Sequence, residues 1–368
     1  MLEILLPFGL PPDELSRDLL TSLRTPALAQ LLARASAGPT AHHSGFQPSL
    51  PHEIWLEQQL GPFSAGPTTA LQGASLSEAD LASGVWFMLF PVHLHIARDH
   101  LVLTDQRQLS LSDAQARSLF GSAAELFHEA GLHLRYGDGG CWFLRADGWQ
   151  DMQTSSLDAA CGHNVEIWMP KGPQARAWRK LQNEVQMIWH DAAVNHARQA
   201  QGNPVVNSLW LQRIAPASDQ TAPPSGKTLY HASTGADTGS GKQPDPDSKP
   251  GCGNHTSPTH HGSTDKAPEP ERDGASRGCS NLPAFADLHT RILYADTLIS
   301  PALASDWAAW LDAFAALDAN WFAPLLANKA VWPLRLTLCH GQRLRQFTCS
   351  RLGHLAIWRN NGLPRLTP

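Results

Sequence analysis

The sequence predicts an α/β protein, or a mixed α+β one, with a central sheet flanked by helices and interrupted by a long structureless insert. Three observations carry this. Short apolar runs and helical periodicities interleave from Leu2 onward, residues 215–281 hold almost no large apolar side chains, and apolar runs resume after them. The expected organisation is a main unit over 1–214, a Pro/Gly/Ser-rich insert over 215–281, and a segment over 282–368 that completes the same unit.

Leu2 to Leu6 is a short apolar run, consistent with a buried strand. Pro11-Pro12-Asp13 then signals a turn and the start of a helix reaching Leu23. Thr25-Pro26 opens a second helix with Leu28, Leu31 and Leu32 on one face and Gly38-Pro39 beyond its end. Residues 52–60 read as a further helix. Trp86 to Phe90 is an unbroken apolar run and reads as a central strand. His93 to Ala97 alternates with period two, and Leu101 to Leu103 pairs beside it. Ser112-Asp113 caps a helix that runs to Ala130 and ends at Gly131. Leu132 to Tyr136, the turn Gly137-Asp138-Gly139-Gly140, and Cys141 to Arg145 predict a hairpin. Beyond the insert, Ile292 to Tyr294 reads as a strand and Ser305 to Ala316 as a Trp-rich helix. Leu334 to Leu338, Arg343 to Thr348 and His354 to Trp358 read as antiparallel strands.

In the insert, runs such as Gly239 to Gly251 are built from Gly, Ser, Pro, Asp and Lys, and such a segment cannot offset its ordering entropy by burial. Gly239-Ser240-Gly241-Lys242 lacks the strand and helix of a phosphate loop, and Gln243 follows the Lys where Ser or Thr is needed.

The chain has 368 residues, 42% of them hydrophobic and only 17% charged, with a formal net charge of -5. That balance gives no bias toward nucleic acid or a membrane surface. Thirteen Trp against three Tyr point to indoles in cores or lining pockets. Met1 to Pro7 has no basic region and is too short for a signal peptide, and no stretch reaches the about 18–20 apolar residues of a membrane span, so a cytoplasmic location is expected. The six Cys form no CxxC pair and are read as reduced thiols. Zinc chelation by Cys252 and Cys279 with His255, His260 and His261 is the alternative.

The most informative stretch for function is 174–200. Trp178, Leu181, Val185, Ile188 and Ala192 recur at helical spacing as a buried stripe, and Arg179, Asn183, Gln186 and His190 form a stripe beside it. Amide and imidazole groups suit directed hydrogen bonds to a ligand, or to neighbouring loops. Asn195 and Arg198 follow, then Gly202 and the strand starting at Asn207. Arg198 offers a fork for phosphate or carboxylate, or a plain surface charge. Upstream, Gly162 to Trp168 places His163, Asn164 and Glu166 near a short strand. His93 and His95 share one strand face, and with Asp99 and His100 they are the densest set of candidate metal ligands, although no third ligand stands at a telling spacing.

Two segments resemble the archaeal-type, cofactor-independent phosphoglycerate mutases. Leu6-Pro7-Phe8-Gly9-Leu10 and the run Thr25 to Ala33 resemble that family's Pro-Asp-Gly turn and Thr-Pro-x-Leu-x-x-Leu-Ala helix. His190, Val194-Asn195, Arg198 and the Leu209-Trp210-Leu211 strand resemble its His-Pro-Val-Asn-x-x-Arg run. Residues 1–214 and 282–368, through Trp178 to Met187 and Gly162 to Pro170, are also similar to proteobacterial regulatory proteins of the RpfE type. The resemblance implies the mutase fold but not its chemistry. Phe8 stands where the family has a metal-binding aspartate, and no Asp-His-Gly segment completes a two-metal site near the C-terminus. The expectation is therefore a non-catalytic or regulatory relative without cofactor, binding a small anionic metabolite or a protein partner. The alternative is an active mutase or phosphohydrolase with manganese or zinc relocated to His93, His95, Asp99, His163 and Glu166.

Overall fold

A computed structural model describes residues 1–42, 47–61, 68–214, 227–232, 237–238, 291–352 and 361–367. The first unit begins with β1 (Leu2–Leu6), all of whose side chains are buried. It is followed by α1 (Ser16–Ser22), α2 (Pro26–Arg34), β2 (Ser36–His42), α3 (Pro51–Leu60), α4 (Thr68–Gly73) and α5 (Glu78–Ala82). Next come β3 (Trp86–Val92), the hairpin of β4 (Leu94–Ala97) and β5 (His100–Leu103), α6 (Asp113–Glu129), and the hairpin of β6 (His133–Tyr136) and β7 (Trp142–Arg145). The chain continues through α7 (Leu157–Ala160), α8 (Ala175–His190), α9 (Ala193–Ala200) and β8 (Ser208–Arg213). The last elements are β9 (Thr228–His231), β10 (Asp237–Thr238), β11 (Arg291–Tyr294), α10 (Ile299–Leu303), α11 (Trp307–Leu317), α12 (Ala323–Ala327), β12 (Leu334–His340) and β13 (Arg343–Cys349).

Strands from both ends of the chain share one seven-stranded mixed sheet, ordered β10-β9-β11-β1-β12-β13-β2. β1 runs parallel to β11 on one side and to β12 on the other, pairing Ile4 with both Leu293 and Leu336. β9 extends the parallel core, whereas β13 and β2 close the other edge antiparallel. A strand buried on both faces reads as a continuous apolar run, which is the pattern of Leu2 to Leu6. Residues 86–213 build a second sheet, ordered β6-β7-β3-β8, with its own apolar core around Trp142, Trp178 and Trp189. Mixed α/β architecture with helices about a central sheet is thus as the sequence predicts.

Gly38-Pro39 lies beyond the end of α2, as expected, inside β2, an edge strand where a missing N–H is tolerated. Two local readings change. The long helix over 174–200 breaks at Asp191–Ala192 into α8 and α9, and Ile188 turns out 41% exposed while Trp189 takes the buried position. His163 to Trp168 lies near a short strand, as expected, with Asn164 bridging Val102 of β5, and its own Val165–Ile167 is a 3-10 turn in which the Asn164 side chain accepts from Glu166 N. Within the stretch expected to be structureless, Thr228–His231 forms β9, because Leu229 and Tyr230 are large enough to be buried beside β11. The rest of that insert, with Cys252, Cys279 and their neighbouring histidines, lies outside the described residues, as does the expected strand at His354 to Trp358. No described helix is long and apolar enough to cross a membrane.

α2 shows how the distant ends depend on one another. Thr25 leaves its start without a side-chain cap. Instead the buried carboxylate of Asp318, just past α11, accepts from Ala27 N at 3.2 Å and Leu28 N at 2.8 Å. It satisfies N–H groups that the helix itself cannot. Asp318→Ala leaves both donors buried without partners and should cost about 2–4 kcal/mol in urea unfolding, with Asp318→Asn costing less. A change below about 0.5 kcal/mol would show that these bonds do not hold the helix.

Candidate functional site

In an open sheet with parallel strands, ligands bind outside the carboxyl ends of those strands. Here β11, β12 and β9 end on Tyr294, His340 and His231, and Phe8 lies two residues past the end of β1. β1 leads into a tight turn in which Gly9 N donates to Leu6 O at 3.0 Å. A Cβ on Gly9 would stand 2.7 Å from Leu6 Cβ, so the turn needs glycine there. Phe8 itself sits at φ 53°, in the left-handed region that bulky residues avoid and that Asp or Asn takes more readily. Trp310 Nε1 donates to Phe8 O at 2.9 Å and holds the turn in place. The phenyl ring is buried between two imidazoles, with centroids 5.9 Å from His52 and 5.7 Å from His340, the latter edge-on.

These neighbours are neutral groups. Burial lowers the pKa of both His52 and His340 to about 4. Burial pushes the Cys339 thiol up to about 12. The sulfur donates to Leu6 O at 3.8 Å. Cys339-His340-Gly341 is the run that comes nearest to the missing Asp-His-Gly segment, with a thiol in the aspartate's place. A two-metal site of the mutase kind needs carboxylates to hold hard cations. The phenyl group at Phe8 and the protonated thiol at Cys339 do not fit it.

Behind the imidazole of His52 lies a charged network that joins the two sheets. Glu53 Oε2 accepts from Leu50 N at 2.6 Å and from Ser156 Oγ at 2.7 Å. Burial, reinforced by the charge of Asp158, raises the Glu53 pKa to about 8. Arg107 forks onto Asp158, with Nη1 and Nη2 each at 2.8 Å, and Nη1 also donates to Asp105 Oδ1 at 3.0 Å. Burial alone would raise the Asp158 carboxyl, but Arg107 outweighs it and holds it below the usual range.

Beside this network a cleft of ≈ 520 Å³ opens between the start of α3 and the segments 152–156, 167–171 and 212–213. Its wall carries two cations, Lys171 and Arg213, the hydroxyls of Thr154, Ser155 and Ser156, and the face of Trp168. Arg213 Nε is buried without a hydrogen-bond partner among the described residues. Glu57 also lines the cleft, and burial raises its pKa toward the neutral form.

The residues singled out from sequence lie elsewhere, with one exception. Arg179, Asn183, Gln186 and His190 share the exposed face of α8, where Arg179 stands 3.9 Å from Glu166. Asn195 is buried and bonded to its own chain, donating to Trp189 O and Val206 O and accepting from Val206 N. Arg198 directs its guanidinium at Pro204 O, Leu109 O and Gln115 Oε1. Asn207 brackets Leu94, accepting from its N and donating to its O. His93 and His95 stack at 6.0 Å, but His93 Nδ1 is bonded at Val205 O and Asp99 pairs with His100 at the surface. Only the Gly162 to Pro170 run reaches the cleft, through Trp168, on which His163 stacks at 6.1 Å. His52, Glu53, Asp105, Arg107, Asp158 and His340 escape sequence reading because each is a single polar residue in an unremarked context. The histidine after Cys339 at the end of an apolar strand is the one signal that points to them.

No known protein-family model matches the chain, and no curated protein matches it. Among solved structures, it is similar to a cofactor-independent phosphoglycerate mutase from Thermoplasma acidophilum, at 12% identity and a TM-score of 0.34, covering 95% of this chain and 90% of the other. It is also similar to a protein from Pyrococcus horikoshii, at 13% identity and a TM-score of 0.42, covering 99% and 97%. These findings lend no support to the RpfE-type resemblance.

The neutral imidazoles set a pH dependence. A histidine whose folded pKa lies below its unfolded value binds its proton more readily when unfolded, so its stabilising contribution is complete above the unfolded pKa and is lost as pH falls through the folded one. Stability should therefore drop between pH 6.5 and about 4. Urea unfolding of His340→Asn across that range should show a shallower fall, by about one proton taken up on unfolding. An unchanged slope would mean that His340 is charged in the folded protein.

Proposed function

We propose that the chain is a phosphoglycerate-mutase-like protein without the mutase's two-metal chemistry, and that it binds a small anionic metabolite in the cleft beside the strand ends. The carrying observation is Phe8, packed between two neutral imidazoles where the resembled family has a metal-binding aspartate. Phosphoryl transfer between hydroxyls needs cations to stabilise the charge that develops on the transferring group. A phenyl ring supplies none.

The adjoining cleft supports binding rather than turnover. Lys171 and Arg213 provide positive charge, and the hydroxyls of Thr154 and Ser155 provide hydrogen bonds. Glu57, the acid facing them, is shifted toward its uncharged form and opposes an anion less than an ordinary carboxylate would. Trp168 offers an apolar wall for a short carbon skeleton. A regulatory role would follow from occupancy of this cleft, through whatever partner senses it.

The test uses the full chain with 3-phosphoglycerate and manganese, followed by phosphorus NMR. No 2-phosphoglycerate should form, while millimolar 3-phosphoglycerate should raise the melting temperature by about 2 °C. Lys171→Ala and Arg213→Ala should each remove most of that rise. Sustained turnover would overturn the non-catalytic reading, and a rise unaffected by either substitution would overturn the assignment of the cleft.

A further inference from the structure

The side chains of His52, Glu53 and Asp158 each offer one ligand atom, and these atoms lie within 4.8 Å of one another. They come from different parts of the fold. His52 and Glu53 stand in the first turn of α3, whose Trp55 and Leu56 belong to the core of the large sheet. Asp158 sits on α7, whose Leu157 and Ala160 belong to a core of the second sheet.

Two independent features point to a cation here. The first is His52 Nε2, on a residue only 2% exposed, which has no hydrogen-bond partner among the described residues. A buried polar atom left unmatched costs about 1–3 kcal/mol, and a metal ion is one of the few partners that satisfies an imidazole lone pair in so small a space. The second is the charge balance. Among the described residues, Arg107 pairs with the carboxylates of Asp105 and Asp158, and Asp105 Oδ2 is itself buried and unmatched. With both aspartates ionised the cluster carries an excess of one negative charge, and an ion that displaced the proton burial keeps on Glu53 would meet a second, which a divalent ion cancels.

We propose that His52, Glu53 and Asp158 form a site for a single divalent transition-metal ion that pins α3 to α7. One imidazole and two carboxylates make a mixed nitrogen–oxygen donor set, suited to manganese, iron(II) or zinc. Ligand atoms ~2.1 Å from an ion in a tetrahedral arrangement lie ~3.4 Å apart, so movements of about an ångström in side-chain position close the site from its present spacing. The surrounding bonds already orient the ligands. Arg107 grips Asp158 from behind, while Leu50 N and Ser156 Oγ hold Glu53 Oε2. Hydrogen bonds of this kind from the next layer of residues fix ligand geometry at metal sites. His52 is shared with the wall around Phe8, while Glu53 and Asp158 lie behind it, and the site does not depend on the anion cleft being occupied.

The experiment titrates the chelator-dialysed full chain with manganese(II) and follows free ion by electron paramagnetic resonance. Manganese is chosen because it favours oxygen and nitrogen over thiolate, which keeps the cysteines of the insert out of the reading. One ion per chain should bind. His52→Gln and Glu53→Gln should each weaken binding at least tenfold. Glu53→Gln keeps an acceptor for Leu50 N, so its metal-free melting temperature should stay within a few degrees of the unsubstituted chain. Should it fail to fold, His52→Gln decides alone. The proposal is overturned if the unsubstituted chain binds no stoichiometric manganese, or if a folded variant binds it as well as the unsubstituted chain does.

Discussion

The fork between Arg107, whose side chain reaches the surface, and the largely buried carboxylate of Asp158 is the interaction around which the two sheets are arranged. Both partners belong to the part of the chain that builds the second sheet, yet the pair faces α3 and the carboxyl ends of the large sheet's strands. Taking the Asp158 carboxylate out of water is costly unless it is matched, and removing Arg107 would leave it uncompensated. Arg107 is matched twice, by both oxygens of Asp158 and by Asp105 Oδ1. Asp158 in turn presses on Glu53 and helps to raise its pKa, and Glu53 is tied to Ser156 across the junction. The packing of α3, and with it the placement of His52 against Phe8, follows from that arrangement.

Phe8 gives the strand ends their chemical character. Its backbone conformation suits a small polar residue, and its side chain is instead a large apolar one. The turn is kept by Gly9 and by the indole of Trp310, and the ring lies between His52 and His340. Burial has driven both of these imidazoles toward their neutral form. The polar chemistry of the fold is displaced sideways, into the cleft that Lys171 and Arg213 share and into the cluster behind His52. The position at Phe8 thus carries none of the charge that phosphoryl transfer between hydroxyls would require.

Much of the scaffold was legible in the sequence, because strands buried on both faces and capped amphipathic helices leave local signatures. Leu2 to Leu6, Trp86 to Phe90 and the Ser112 capping box all lie where pattern and propensity put them. β9 escaped because two buried residues, Leu229 and Tyr230, are too short a run to stand out from a Pro- and Gly-rich background. The break between α8 and α9 escaped because Asp191 and Ala192 carry no Pro or Gly signal. The cluster around Arg107 was illegible for a different reason. Its members are brought together by pairing and packing across more than a hundred residues, and no spacing records that. Phe8 was legible only through its departure from the resembled family's pattern.

The central claim is that the strand ends are held electrically neutral around Phe8. The most direct measurement is a nitrogen-15 NMR titration of the histidine side chains in the chelator-dialysed full chain, with His52 and His340 assigned by substitution. Both imidazoles should remain in the neutral form from pH 8 down to about pH 5, because their pKa values lie at about 4. Protonation of either near the ordinary histidine value of about 6.5 would contradict the account, since a charged imidazole beside Phe8 implies a hydrated or anion-lined crevice there.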